Sequence, residues 1–335
     1  MAVQKIIIDC DPGIDDALAL LFAHGHPDLE LCGITTVAGN VGLDLTTANA
    51  LRVREYAGLG DVPVVAGCAR PLLRSVIDAR DVHGESGLGA VTLPPPSSRA
   101  ADGHAVDYLA RAIGAQPGEI TLIAVGPLTN IALAVRYHPQ IVTQVRDFVI
   151  MGGSAGRGNV TPAAEFNIAA DPEAAAIVFE AGWTVTMVGL DVTLQARATS
   201  AVQERMRALG RLADDLLLPS LSGYQAPGPP VVGPAVDGQG QPLDGPAVHD
   251  VCAVAQVAVP GLLTCVPAQV RVETAGQWTA GMTVTDFAAP AADWNAQVAM
   301  AIDSEAFWDL VLDTYRRVAA GLPDQEPAPS VGAEP

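Results

Sequence analysis

The stretch Ile6-Ile7-Ile8-Asp9-Cys10-Asp11-Pro12-Gly13-Ile14-Asp15-Asp16-Ala17-Leu18-Ala19-Leu20 changes character twice within fifteen residues. Three β-branched apolar residues in a row read as a strand buried on both faces, since a half-exposed strand would alternate apolar with polar. A Pro-Gly turn follows, and Asp15 to His24 then carries Ala and Leu at helical spacing. Strand, turn and helix in this order open a βα unit. Four carboxylates, Asp9, Asp11, Asp15 and Asp16, fall within eight positions around the turn. Crowded carboxylates raise one another's pKa and repel, so a site that keeps them ionised usually supplies a cation. Oxygen-only donors select a hard metal, Ca²⁺ or Mg²⁺, whereas zinc calls for His or Cys at close spacing. Helix capping and the helix dipole account for one or two acids at such a place, but not for four. The C-terminal end of a parallel strand is also where open α/β sheets bind ligands.

Outward from this stretch, short β-branched runs alternate with longer Ala/Leu-rich ones over the first 200 residues, the pattern of successive βαβ units. Strands are expected at Lys5–Asp9, Leu31–Val37, Pro63–Ala66, Ile120–Val125, Asp147–Met151 and Thr184–Leu190. Helices are expected between them, at Asp15–His24, Asp44–Ala57, Gly103–Gly114, Leu128–His138 and Pro172–Gly182. Beyond Thr199 the spacing stays helical through Leu221 and then breaks in Pro227–Pro246, where about half the residues are Gly or Pro. That segment reads as a flap over a site in preference to a domain linker, since the helix-like Ala247–Val259 behind it opens with the charged pair His249-Asp250. Strands Gln269–Glu273 and Gln297–Ile302, a strand or turn near Met282–Phe287 and a helix Ser304–Ala319 complete the pattern. The expected fold is α/β, a mostly parallel central sheet flanked by helices around a Rossmann-like core. Residues 1–321 are expected to form a single domain and residues 322–335 a disordered tail.

Half of the 335 residues are apolar and 16% are charged, enough for a large core and incompatible with a disordered chain. The acidic excess, 37 Asp and Glu against 18 Lys and Arg for a formal charge of -19, excludes nucleic acid as a partner, because phosphates demand a basic face. No run reaches the roughly 18 apolar residues of a membrane span, so no membrane association is expected. The N-terminus carries no secretory signal, and Cys10, Cys32, Cys68, Cys252 and Cys265 form no C-x-x-C pair, so a reduced, cytoplasmic setting is expected.

Polar groups recur at the ends of the later strands. Asn40 follows Thr35-Thr36-Val37-Ala38-Gly39, Val125-Gly126-Pro127-Leu128-Thr129-Asn130 follows the fourth strand, and Met151-Gly152-Gly153 the fifth. Singly each is an ordinary βα turn; together they describe loops around one crevice. Asn159 and Glu165-Phe166-Asn167 offer a carboxylate and two amides suited to the vicinal hydroxyls of a sugar. His83 opens the Gly-rich loop His83-Gly84-Glu85-Ser86-Gly87-Leu88-Gly89.

Together with Ala164-Glu165-Phe166-Asn167, Asp171-Pro172-Glu173-Ala174-Ala175 and His249-Asp250, these motifs resemble the inosine-uridine preferring nucleoside hydrolases, a family of metal-dependent N-ribohydrolases. They occur in the family's order over residues 5 to about 319. The resemblance implies a tightly held Ca²⁺ at the C-terminal edge of the sheet, a ribonucleoside substrate, a place in purine and pyrimidine salvage, and a homodimer or homotetramer. It implies that Asp11, Asp16, Asp250 and the backbone carbonyl of Val125 ligate the calcium. Asp11 would also be the general base for a metal-bound water whose pKa the cation has lowered. By the same resemblance Asp15 and Asn167 hold the ribose 2′- and 3′-hydroxyls, Asn40 supports the water and metal side, and Asn159, Glu165 and Met151 grip the 5′-hydroxyl end. His249 is implied as the acid for a purine leaving group, and His83 as an aid to pyrimidines or a shaper of the pocket. The family often places tyrosines ahead of the second histidine; here only Tyr224 is near, followed by Gln225 and the Gly/Pro insertion. Base preference is therefore left open between inosine/uridine-like and broad.

Breaking a ribosyl C–N bond builds positive charge on the sugar, which an acidic pocket stabilises, so residue chemistry and resemblance agree. Two other readings compete. Asp9-x-Asp11 at a first-strand end is also the nucleophile and acid arrangement of haloacid-dehalogenase-type phosphatases, but that chemistry wants a downstream lysine and Lys5 is the only lysine in the chain. A non-catalytic calcium-dependent nucleoside-binding protein would use the same sugar contacts, although Asp11 and His249 exceed what binding requires.

Overall fold

The computed structural model describes residues 3–223 and 243–323. Its strands are β1 (Gln4–Cys10), β2 (Leu29–Thr36), β3 (Val64–Ala66), β4 (Ile120–Ala124), β5 (Phe148–Met151), β6 (Val185–Val188), β7 (Leu263–Val272), β8 (Thr283–Asp286) and β9 (Ala296–Ile302). They lie in one sheet in the order β3-β2-β1-β4-β5-β6-β9-β7-β8. Every pairing from β3 across to β9 is parallel, and β7 and β8 close that end antiparallel. The helices are α1 (Ile14–Gly25), α2 (Leu43–Ala57), α3 (Arg80–His83), α4 (Ala105–Ala115), α5 (Thr129–Tyr137), α6 (Ile141–Gln144), α7 (Phe166–Ala170), α8 (Pro172–Phe179), α9 (Leu190–Thr193), α10 (Ser200–Arg207), α11 (Leu218–Gly223), α12 (Asp250–Ala258) and α13 (Ser304–Gly321). The expected α/β class and mostly parallel sheet are what the chain forms.

The isoleucine run explains why β1 sits in the middle. Successive side chains of a strand point to opposite faces, so Ile6 and Ile8 enter the core under α1, α12 and α13, while Ile7 enters the core under α4, α5 and α8. From β1 the chain steps outward to β2 and β3, then returns on the other side of β1 as β4. This reversal leaves a crevice beyond the C-terminal ends of β1 and β4, the place where open α/β sheets take ligands.

Several boundaries differ from expectation. The strand expected at Thr184–Leu190 stops at Val188, because Gly189 turns the chain into α9 and the Leu190 N–H bonds the Gly153 carbonyl at 2.9 Å. The helix expected to Gly182 ends at Phe179, and the one expected from Ala247 starts at Asp250, with Ala247 bridging Arg197 instead. The long helix after Thr199 divides at Gly210, whose φ of 57° is left-handed, into α10 and a π-helical turn at Ala213–Leu217 that leads into α11. The strand expected at Gln269–Glu273 extends back to Leu263 through Pro267. β8 pairs only with Gln269–Val272, so on that edge no partner strand needs the N–H that proline lacks. Most of the proposed flap, residues 227–242, and the tail from 324 lie outside the described residues.

Candidate active site

The floor of the crevice is the turn between β1 and α1. Asp16 draws this turn closed: its Oδ1 accepts from the Asp11 N–H at 3.0 Å, and its Oδ2 from the Gly13 N–H at 2.9 Å. Asn40, on the loop after β2, spans both acids. Its N–H donates to Asp11 Oδ2 at 2.6 Å, and its side-chain amide donates to the Asp11 carbonyl and to Asp16 Oδ2, each at 3.1 Å. Gly39 and Gly126 pack so tightly on the Asp11 carboxylate that a Cβ on either would overlap it. Asp11 Oδ1 is buried and accepts no hydrogen bond from the described residues. Asp9 points elsewhere, its Oδ1 accepting from Thr35 Oγ1 at 2.5 Å and Asn130 Nδ2 at 2.8 Å and so bracing β2 and the start of α5, while its Oδ2 is likewise buried without a hydrogen bond from the described residues.

Asp250, the first residue of α12, completes the acidic group. Carboxylate oxygens of Asp15, Asp16 and Asp250 lie within 4.8 Å of one another, and all three residues are buried. The closest cluster therefore contains Asp15, which sequence reading assigns to the sugar; Asp11 joins it through its N–H bond to Asp16. The Val125 carbonyl, at the end of β4, accepts from Asn167 Nδ2 at 2.9 Å. Burial first, and then the neighbouring acids, push the Asp11 and Asp250 carboxyls well above the usual carboxylate range and Asp16 to about 7. An uncompensated buried oxygen beside mutually repelling carboxylates, with no thiolate or imidazole in the cluster, fits a hard divalent cation.

The residues expected on the sugar side come from the end of β5 and from α7. Glu165 is the N-cap of α7, with Oε1 accepting from the Asn167 N–H at 3.0 Å and Oε2 from the Gly153 and Ile168 N–H groups at 3.0 and 3.2 Å. Burial outweighs these bonds and lifts its carboxyl to about 7. Asn167 Nδ2 also reaches the Met151 carbonyl at 3.1 Å, which ties the sugar side to the ends of β4 and β5. Asn159 is exposed at the rim, its Oδ1 accepting from the Phe166 N–H at 2.9 Å.

Two histidines face the acids. His83 is buried at the end of α3, and its Nδ1 accepts from the Ile14 N–H at 3.0 Å. His249 is half-buried immediately before Asp250, with Nδ1 2.7 Å from Thr193 Oγ1. Desolvation lowers both imidazole pKa values, and the Asp15 carboxylate works against it in each case. Tyr224 lies outside the described residues.

Comparison with known proteins rests on nearly the whole chain. The family model described as inosine-uridine preferring nucleoside hydrolase matches residues 6–309. The chain belongs to that family. It is 47% identical over 318 residues to an inosine-uridine preferring nucleoside hydrolase of Leishmania major, covering 94% of this chain and 98% of the relative. It is 42% identical over 312 residues to a pyrimidine-specific ribonucleoside hydrolase, RihA, of Salmonella schwarzengrund, covering 93% and 98% of the two chains. Among solved structures it superposes on a purine-preferring ribonucleoside hydrolase from Gardnerella vaginalis with a TM-score of 0.84 at 32% identity, over 94% of this chain and 99% of that one. The protein is an enzyme, a nucleoside hydrolase that cleaves the N-glycosidic bond of ribonucleosides.

In this hydrolase the phosphatase reading has no physical basis: Asp9 is bonded into the sheet, and Lys5, at the opposite end of β1, bonds Gln116 and Glu119. Sequence reading missed Thr193 altogether, and placed Thr35 and Asn130 in motifs around the crevice without pairing them with Asp9. Each is an ordinary polar residue near a strand end, and nothing in its neighbourhood in sequence marks its partner. Among the described residues no helix is long and apolar enough to cross a membrane.

Proposed function

We propose that this nucleoside hydrolase works with calcium held by Asp11, Asp16, Asp250 and the Val125 carbonyl, at the crevice between β1 and β4. The observation that carries this reading is the Asp11 carboxylate, with one oxygen fixed by the Asn40 N–H and the other buried without a hydrogen bond. When bound, the cation supplies the charge that keeps these acids ionised and makes a nearby water more acidic. Asp11 takes the proton of the attacking water as its oxygen bonds to the sugar C1′. Asp15 and Asn167 hold the 2′- and 3′-hydroxyls, with Asn40 fixing Asp11 and Asp16 beneath them. Asn159, Glu165 and Met151 serve the 5′ end, and Tyr224, outside the described residues, is kept as a substrate-binding candidate from its sequence alone. The acidic surroundings favour positive charge on the ribosyl ring as the C–N bond breaks. The electron pair of that bond leaves with the base, and His249 supplies the proton the base then needs; His83 borders the same space.

Relatives named for inosine and uridine, for pyrimidines and for purines show that base preference varies within the family, and we read it here as inosine/uridine-like or broad. We read residues 1–321 as one domain, acting as a homodimer or homotetramer in cytoplasmic nucleoside salvage; five unpaired thiols support that compartment. The test is reducing-sugar release from inosine, adenosine, guanosine, uridine and cytidine, before and after metal stripping and with Ca²⁺, Mg²⁺ or Zn²⁺ returned. Release that vanishes on stripping and returns best with Ca²⁺ supports the reading; recovery with Zn²⁺ alone overturns the calcium assignment. Nucleoside binding without any ribose release would point to a binding protein.

A further inference from the structure

Four histidines show what a neighbour can impose on an imidazole. Nδ1 of His26, His83 and His104 accepts a backbone N–H, from Asp28 at 3.3 Å, Ile14 at 3.0 Å and Val106 at 3.3 Å. A backbone N–H only donates, so each of those bonds exists only while Nδ1 carries no proton. His249 is different, because its Nδ1 partner is the Thr193 hydroxyl at 2.7 Å, and a hydroxyl donates or accepts. That bond survives whether Nδ1 holds a proton or not. His249 also occupies the N-cap position of α12 without capping it, whereas His104 at the same position of α4 caps its helix through Nδ1. Its ring is turned to Thr193 instead.

Thr193 is built to hold a ring still. It is fully buried at the end of α9, and β-branching restricts its χ1. The helix itself is pinned at both sides: the Leu190 N–H bonds the Gly153 carbonyl at 2.9 Å, and Asp191 Oδ2 accepts from the Ala155 N–H at 2.7 Å. We propose that Thr193 is a positioning residue for base departure, orienting the His249 ring through Nδ1 so that Nε2 faces the leaving group and remains bonded as the proton moves. This rests on the reading of His249 as the acid. In the step concerned, the C–N electron pair passes to the base nitrogen, the His249 imidazolium passes its Nε2 proton to the base, and the ring is left neutral with its Nδ1–H still donating to Thr193 Oγ1. His83 cannot substitute, since protonating its Nδ1 would break its bond to the Ile14 N–H.

The test compares inosine with p-nitrophenyl riboside, whose leaving group departs without a proton, in the metal-loaded enzyme. Thr193→Val removes the hydroxyl at nearly constant shape. It is expected to lower kcat for inosine about ten- to a hundredfold, to lower kcat for p-nitrophenyl riboside by a much smaller factor, and to leave KM for both little changed. Thr193→Ser should restore most of the inosine rate, and Thr193→Val added to His249→Ala should cost nothing further. Thermal melting checks the fold, and if Val proves too unstable, Thr193→Ala reads the same loss of hydroxyl. Equal losses on both substrates, a full inosine rate in the Val variant, or a further loss in the double variant would each overturn the proposal. If His249→Ala fails to separate the two substrates, the acid assignment falls on its own, whatever Thr193 does.

Discussion

The Asp11 carboxylate is gripped by the Asn40 N–H on one oxygen and stranded on the other, in a place whose burial and acidic neighbours disfavour its charge. A charge kept at that cost fits the proposed role of Asp11 as the base. Asp11→Asn is therefore expected to fold with a metal-free melting temperature at or above that of the parent, while kcat falls about 10²–10⁴-fold. Near-native turnover would remove Asp11 as the base. His249→Ala should depress inosine turnover far more than p-nitrophenyl riboside turnover, read as the ratio of the two kcat values. At this scale the acids were legible in sequence because four carboxylates round one turn have no ordinary explanation. Thr193 was not, because a lone threonine after an Asp-Val pair has many.

Among the elements, α7 shows how little local pattern a short helix needs. It has only five residues, too few to register as a periodic run, and it exists because Glu165 accepts three N–H groups at its start and at Gly153. Glu165→Gln puts an amide donor where the backbone offers donors. It should lower stability by about 1–2 kcal/mol in urea unfolding. Since the same cap carries Asn167, the variant should also raise KM for nucleosides more than it lowers kcat; an unchanged KM would detach α7 from the sugar. Strand and helix centres were readable from the isoleucine run and the Ala/Leu spacing, whereas ends were set by contacts. β6 stops where Gly153 captures Leu190, and β7 runs on through Pro267 because β8 does not extend that far.

For the whole molecule, the buried acids link stability to pH and, on the proposed reading, to metal. Asp16 and Glu165 stand at about 7, and Asp11 and Asp250 well above the ordinary range, all raised chiefly by burial. A carboxyl raised on folding contributes stability below its unfolded pKa of about 4, and loses that contribution as pH climbs through the folded value. Four histidines lowered by burial act in the opposite sense, so the informative quantity is the difference made by metal. A cation binds the ionised acids, and so the gain in melting temperature on adding Ca²⁺ to chelator-treated protein should grow steadily from pH 5 to pH 8, with protons released on binding. A gain that shrinks over that range would mean that the cation binds elsewhere.

Local order carried a great deal. An apolar triplet followed by Asp-Cys-Asp-Pro-Gly specifies a buried strand, a tight turn and a helix start, and alternation of such units specifies a parallel sheet with its loops at one edge. These features are set by neighbours in the chain, through side-chain alternation and helical period, and can be read one window at a time. Tertiary structure alone decided that Asp250 meets Asp15 and Asp16, that Asn40 bridges two acids of another loop, and that a threonine after β6 holds the ring of His249. Those contacts join distant parts of the chain across the C-terminal edge of the sheet. They depend on strand order, which no single stretch of sequence encodes.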